Sequence, residues 1–157
     1  MNRPAVRNLM IMALVMVTWL ALGACAGGQP KPPEVVFGMD LCERCGMVID
    51  DPRYAAALVL ENGSSHKFDD AGEMFAWRAD HTGETVAAWY VHDYTSKVWL
   101  RGETAFYVVN KGVTSPMGTG VAAFGVRAEA DTFAKGLKAT VLVFDEAQRL
   151  LAVPGKR

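Results

Sequence analysis

Cysteine is scarce in this chain, with three in 157 residues. A secreted fold stapled by disulfides would normally carry more, so stability has to come chiefly from an apolar core. Histidine is equally rare, and none of His66, His81 and His92 stands at C-x-x-C or H-x-x-x-H spacing from another, which argues against a closed four-ligand zinc site. There is no excess of one charge: 16 basic residues face 17 acidic ones, scattered rather than blocked, so nothing points to nucleic acid as a partner. A glycine-rich phosphate loop, a G-x-S-x-G elbow and a nucleophile–base pairing are all lacking, and the expectation is a protein that is not an enzyme.

Long hydrophobic runs are lacking too, except for one at the start. Arg3 and Arg7 precede an apolar stretch from Leu9 to Leu22 that is short for a membrane span, and Leu22-Gly23-Ala24-Cys25 follows. That tetrapeptide resembles a bacterial lipobox. The resemblance implies a signal peptide over residues 1–24, cleavage after Ala24, and lipidation of Cys25, whose acyl chains would hold the protein to a membrane facing the periplasm. Ala26 stands where an inner-membrane retention signal would usually carry Asp, which favours the outer membrane where a cell has one. Without Arg3 and Arg7 the formal charge is 14 basic against 17 acidic residues, or −3. Residues 25–34, with Pro30, Pro32 and Pro33, read as a lipidated N-terminus and flexible tether.

What is present is sulfur. Cys42-Glu43-Arg44-Cys45-Gly46-Met47 puts two thiols and a thioether within six residues outside the cytoplasm, and soft donors of that kind select Cu(I). A second sulfur-bearing turn, Ser115-Pro116-Met117-Gly118, lies far along the chain. Met47 and Met117 sit among Gly, Pro, Ser and Thr rather than on an apolar face, so they read as ligands rather than as gap-filling core residues. Met74, at helical spacing with Ala71 and Phe75, reads as core. Met39 is open between packing and a reserve sulfur.

Local patterns predict an α+β fold of two small β-rich lobes of ββα type, over residues 35–84 and 85–157. Tyr54 to Leu60 and Ser65 to Phe68 read as strands around an Asn62-Gly63 hairpin turn. Asp70 and Glu73 resemble a capping box for a helix to Asp80. Val86 to Val91, Thr104 to Val109 and Val121 to Val126 follow as strands, then a helix from Ala128 to Lys135 closed by Gly136, and a last strand from Thr140 to Phe144. In both halves a sulfur-bearing turn precedes an alanine-rich strand, Ala55-Ala56-Ala57 and Val121-Ala122-Ala123, which suggests two related lobes.

Four stretches carry a family resemblance: Cys42-x-x-Cys45-Gly46-Met47-x-Ile49, Tyr90-Val91-His92-Asp93-Tyr94, Ala105-Phe106-Tyr107-Val108 and Pro116-Met117-Gly118-x-Gly120-x-Ala122-Ala123-Phe124. Together, behind a lipobox, they resemble the nitrous oxide reductase accessory lipoproteins, the NosL family. The resemblance implies a periplasm-facing Cu(I)-binding lipoprotein of paired ββα lobes that passes copper to the membrane transporter complex maturing nitrous oxide reductase. The chemistry agrees: one thiolate and two thioethers satisfy a closed-shell soft ion in a neutral, low-coordinate site. Cys45, Met47 and Met117 form that candidate set. Cys42 stands behind them as a second thiolate, a disulfide partner of Cys45 or a spacer, and His92 as a further ligand or a supporting residue. His66 and His81 read as surface residues.

Two other functions stay open on the sequence. A thiol–disulfide oxidoreductase of the envelope would use Cys42 and Cys45, but the βαβ setting and the long helix after C-x-x-C are missing. A non-catalytic lipoprotein adaptor would use the motif structurally.

Overall fold

The computed structural model describes residues 29–152; the signal segment and the lipidation candidate Cys25 lie outside the described residues. The described chain runs β1 (Ala56–Leu60), β2 (Ser65–Phe68), α1 (Ala71–Asp80), β3 (Val86–His92), β4 (Trp99–Arg101), a 3-10 turn (Gly102–Thr104), β5 (Phe106–Val109), β6 (Val121–Phe124), α2 (Arg127–Leu137), β7 (Val141–Leu142) and α3 (Phe144–Leu151). Two antiparallel sheets result, in the orders β2-β1-β3-β4 and β6-β5-β7. The fold is α+β, as the patterns predict.

β1 is apolar throughout because both of its faces are covered. Ala56, Leu58 and Leu60 enter the main core, while Ala57 and Val59 join Ala88, Tyr90 and Trp99 on the opposite face. The turn to β2 uses Gly63 at φ +86, and the Asn62 side chain accepts the Ser64 N–H at 2.9 Å. Asp70 caps α1 by accepting the Gly72 N–H at 2.6 Å. Glu73 does not complete a capping box; its carboxylate accepts instead from Arg44 at 2.9 Å. Met74 is fully buried.

The two units share one connectivity: a hairpin, a helix, and a strand that returns to the far side of the first strand. It occurs as β1-β2-α1-β3 and again as β5-β6-α2-β7. β3 and β4, which the pattern groups with the second lobe, complete the first sheet with β3 between β1 and β4, and both faces of β3 are covered, Trp89 and Val91 in the main core and Ala88 and Tyr90 in the cluster on the opposite face. The repeated motif of sulfur turn and alanine-rich strand is not a structural repeat, because Cys45-Gly46-Met47 leads to the inner strand β1 and Met117 lies in the connection to the edge strand β6.

Other differences have local causes. The expected last strand is only Val141–Leu142, and Phe144 opens a helix in which Glu146 accepts the Val143 N–H at 3.0 Å. That turn of chain sends the Phe144 ring onto Phe75 and Trp89. α2 runs through Gly136 to Leu137, which packs on the second core, and closes at Lys138 with φ +52. The strand expected from Thr104 begins at Phe106, after the 3-10 turn, and the one expected to reach Val126 stops at Phe124. Gln29 and Pro30, expected within a flexible tether, hydrogen-bond to Arg101 and Tyr90.

Asp93 joins the two sheets. Its carboxylate accepts the Thr95 and Ser96 N–H groups and the Ser96 hydroxyl at one oxygen, and the Gly125 N–H, just past β6, at the other. Burial opposes its ionisation, but these donors outweigh burial and hold the carboxyl below its ordinary value of 3.8. A group with a depressed folded pKa contributes stability that is complete above the unfolded value and is lost as pH falls through the folded one. Asp93→Asn is therefore expected to cost about 2 kcal/mol at neutral pH, and the gap to the wild type is expected to narrow below the ordinary Asp value. Urea melts at a series of pH values check both.

Candidate metal centre

The C-x-x-C segment is the tip of a two-stranded ribbon. Gly38 donates to Ile49, Ile49 to Asp40 and Cys42 to Met47, and Leu41 bridges Val48. Gly46, at φ +74, donates to the Cys42 carbonyl and turns the chain back. Neighbouring elements hold this tip in place. Glu43 donates its N–H to the Lys67 carbonyl of β2, and Arg44 reaches Glu73 at 2.9 Å and Asp80 at 3.4 Å, at opposite ends of α1.

Cys42 points inward and is 2% exposed, whereas Met47 is 53% exposed. Cys45 lies between them in accessibility, and its Sγ sits 3.6 Å from Asp69 Oδ2. Both cysteines are free thiols. Burial pushes the Cys42 thiol up to about 12 and also raises Cys45, which is partly offset by the Met47 N–H. The ligand atoms of Cys42, Cys45 and Glu73 lie within 4.8 Å of one another. Burial raises the Glu73 carboxyl despite its Arg44 partner.

The second sulfur turn docks on the same helix start. Thr119 donates its hydroxyl to Asp70 Oδ1, and Ser115 Oγ accepts the Gly120 N–H at 3.0 Å and lies 3.4 Å from Thr119 Oγ1. Gly118 and Gly120, both at positive φ, shape the loop, and Met117 at its tip is 36% exposed. Consecutive residues thus hold the two motifs: Asp69 touches Cys45 and Asp70 touches the Met117 loop. The sequence pattern marks Asp70 and Glu73 only as a helix cap and does not show that Asp69 and Glu73 stand beside the cysteines. The signal was weak, because Glu73 lies 29 residues from its Arg44 partner.

His92 stands elsewhere. It ends β3, its Nδ1–H donates to the Pro52 carbonyl, and its ring packs between Phe37 and Trp99. Burial pulls its pKa below the ordinary value. It is not part of the Cys42–Cys45–Glu73 group. His81 is exposed, as expected, and stacks on Trp77 at 4.0 Å, whereas His66 is half-buried with its ring tilted against Trp77 at 4.4 Å. Met39, at 76% exposure, does not pack.

Gly72 lets the two motifs meet. A Cβ there would lie 2.5 Å from Thr119 Cβ, an atom next to the loop backbone, so the loop itself would have to move. In an exposed helix Gly→Ala stabilises by roughly 0.5–1 kcal/mol. Gly72→Ala is expected to do the opposite, costing about 1–3 kcal/mol by overpacking, and to weaken any metal site that draws on both loops. Thermal melts and metal titration of this variant check the two effects.

Fold and geometry together define a small α+β protein in which the C-x-x-C tip and the Met117 loop both contact the start of one helix. The chain belongs to the NosL family, whose model matches residues 36–151. It is similar to the copper-binding lipoprotein NosL of Stutzerimonas stutzeri, at 28% identity over 132 residues, covering 78% of this chain and 70% of that protein. The crystal structure of the copper chaperone NosL from Shewanella denitrificans shares the fold, with a TM-score of 0.66 at 22% identity, over 74% of this chain and 96% of that one.

Proposed function

We propose that this protein is a lipid-anchored Cu(I) chaperone that carries copper to the maturation apparatus of nitrous oxide reductase. The observation that supports it best is the convergence of Cys45, beside Asp69, and the Met117 loop, on Asp70, at the start of α1. In this reading Cys45 supplies the one anionic sulfur, and Met47 and Met117 supply neutral thioethers from the exposed side. Copper is the cargo. A site of one thiolate and two thioethers is neutral with Cu(I), so holding it near the surface costs little desolvation, and exposed thioethers can be exchanged one at a time for those of a receiver. Cys42 is a reserve thiol behind the site, and His92, bonded to Pro52, stands apart from it.

Lipid anchoring rests on Leu22-Gly23-Ala24-Cys25, and periplasmic delivery through a membrane transporter complex rests on kinship. The relatives named as a copper-binding lipoprotein and a copper chaperone support a carrier rather than an enzyme. The raised thiols of Cys42 and Cys45 weigh against a thiol–disulfide oxidoreductase, whose attacking cysteine needs a lowered pKa.

An anaerobic titration of the reduced full chain with Cu(I), in competition with a chromophoric chelator, tests the reading. About one ion per chain is expected, with Met117→Leu, a volume-conserving change, weakening binding roughly tenfold or more. Wild-type affinity in Met117→Leu would strike that residue from the ligand set, and no competition by the wild type would end the copper reading.

A further inference from the structure

One face of the first sheet is buried with no helix on it among the described residues. Ala57, Val59, Ala88 and Tyr90 cluster there with Trp99, whereas Ala71, Met74 and Phe75 of α1 and Ala147 of α3 belong to the main core. What reaches this face is the chain ahead of the strands. The Tyr90 hydroxyl donates to the Pro30 carbonyl, and Arg101 of β4 donates to Gln29 Oε1 at 2.8 Å. Arg101 is itself held, 5.4 Å from the centre of the Tyr90 ring and 2.8 Å from Glu103. Pro32 and Pro33 are half-buried, and Val35 packs against the main core. Three prolines stiffen the segment, so holding it in place costs little conformational entropy. Residues 29–35 are a strap docked on the sheet.

Where the strap begins decides how far the protein can stand from a lipid on Cys25. Only Ala26, Gly27 and Gly28 lie between Cys25 and Gln29. Four steps of fully extended chain span about 14 Å at most, against roughly 35 Å for ten free residues. The end held so close is the β4 edge of the sheet, where Arg101 binds Gln29. β4 is an edge strand in the order β2-β1-β3-β4, and Val98 at its start is 55% exposed. The sulfur tip belongs to the other edge: Glu43 donates its N–H to the Lys67 carbonyl of β2, and Lys67 pairs with Asp40 at 2.7 Å. Three strand spacings, about 14 Å in all, separate the two edges.

We infer that the strap fixes how the protein sits on its membrane: the β4 edge rests on the bilayer surface, and the tip at the β2 edge is turned away from it. The inference rests on lipidation of Cys25 and not on copper. A loose tether would leave every orientation open. The docked strap leaves the anchor on one side of the sheet and the tip on the other, so that a partner meets the tip from the aqueous side without displacing the protein from the lipid.

Two tryptophans serve as probes, Trp99 on β4 and Trp77, whose ring lies 4.4 Å from His66 of β2. The test uses the processed, lipidated protein on phosphatidylethanolamine–phosphatidylglycerol vesicles carrying a dansyl headgroup lipid, after flotation to isolate bound protein. Cleavage before Cys25 removes Trp19, and Trp→Phe changes leave either Trp77 or Trp99 alone. Energy transfer from Trp99 is expected to exceed that from Trp77 by at least about twofold, given the separation of the two edges. Gln29→Ala with Tyr90→Phe releases the strap and is expected to bring the ratio near one, with circular dichroism confirming the fold. Hydrogen exchange on the chain without tryptophan changes gives a second reading: on vesicles, residues 98–101 are expected to exchange more slowly than in Cys25→Ser protein, and residues 43–47 at the same rate. Equal transfer and unchanged exchange in protein that floats overturn the orientation and keep the anchor. A full ratio in the released variant overturns the strap as its cause. Protein that does not float removes the lipid anchor and this inference with it.

Discussion

Cys45→Ala is expected to lower Cu(I) affinity by more than about 100-fold, beyond the roughly 10- to 100-fold that supporting residues of metal sites are worth. Under the proposed function Cys45 is the one ligand that brings a charge. Removing it leaves two thioethers, which bind Cu(I) without the electrostatic attraction of a thiolate. Cys42 is poorly placed to substitute, being buried with its thiol pushed up to about 12, so that the free protein holds it protonated at neutral pH. Cys42→Ala is accordingly expected to cost less copper affinity than Cys45→Ala. Chelator competition on the two variants side by side, under anaerobic conditions, checks the order. Equal losses would make the two cysteines joint copper ligands and recast the motif as a dithiolate site.

The largest effect on stability is expected from Phe75→Ala, at about 3–5 kcal/mol. Phe75 is fully buried on α1, and its ring meets Trp89 of the first sheet at 5.7 Å, Tyr107 of the second at 5.8 Å and Phe144 of α3 at 5.6 Å. Truncation removes contacts to both sheets at once, and the rigid rings around it cannot collapse into the space. For a chain of this size that corresponds to a fall in melting temperature on the order of 10 °C. Because α1 also carries Asp69 and Asp70 at its start, loosening its seat is expected to weaken the metal site as well. Calorimetry of the metal-free protein isolates the stability term. A loss under about 1 kcal/mol would mean that the sheets pack independently of this ring.

The α1 unit shows what local chemistry makes legible. Asn62-Gly63 demands a hairpin, Asp70 is a strong helix cap, and the spacing of Ala71, Met74 and Phe75 gives a buried helical face; each is decided within a few residues and each is present. α3 and β4 were not legible. β4 has three residues and persists through its pairing to β3, and α3 starts where Phe144 finds a place among aromatic rings contributed by α1, β3 and β5. Both depend on partners distant in the chain, which override weak local preference.

The same division holds at the site. Composition and order alone determined that this chain is sulfur-bearing at two turns, that Met74 is core while Met47 and Met117 are not, and that the fold is α+β, because turn chemistry and side-chain periodicity act over short distances. Only the tertiary structure decided which groups stand together. It set Asp69 and Glu73 beside the cysteines, turned Cys42 inward, bonded His92 to Pro52 away from them, and seated the Met117 loop on Asp70. Those juxtapositions come from the packing of α1 against its sheet and from the close approach at Gly72, and contacts across so many residues leave no periodic trace in the order of the amino acids.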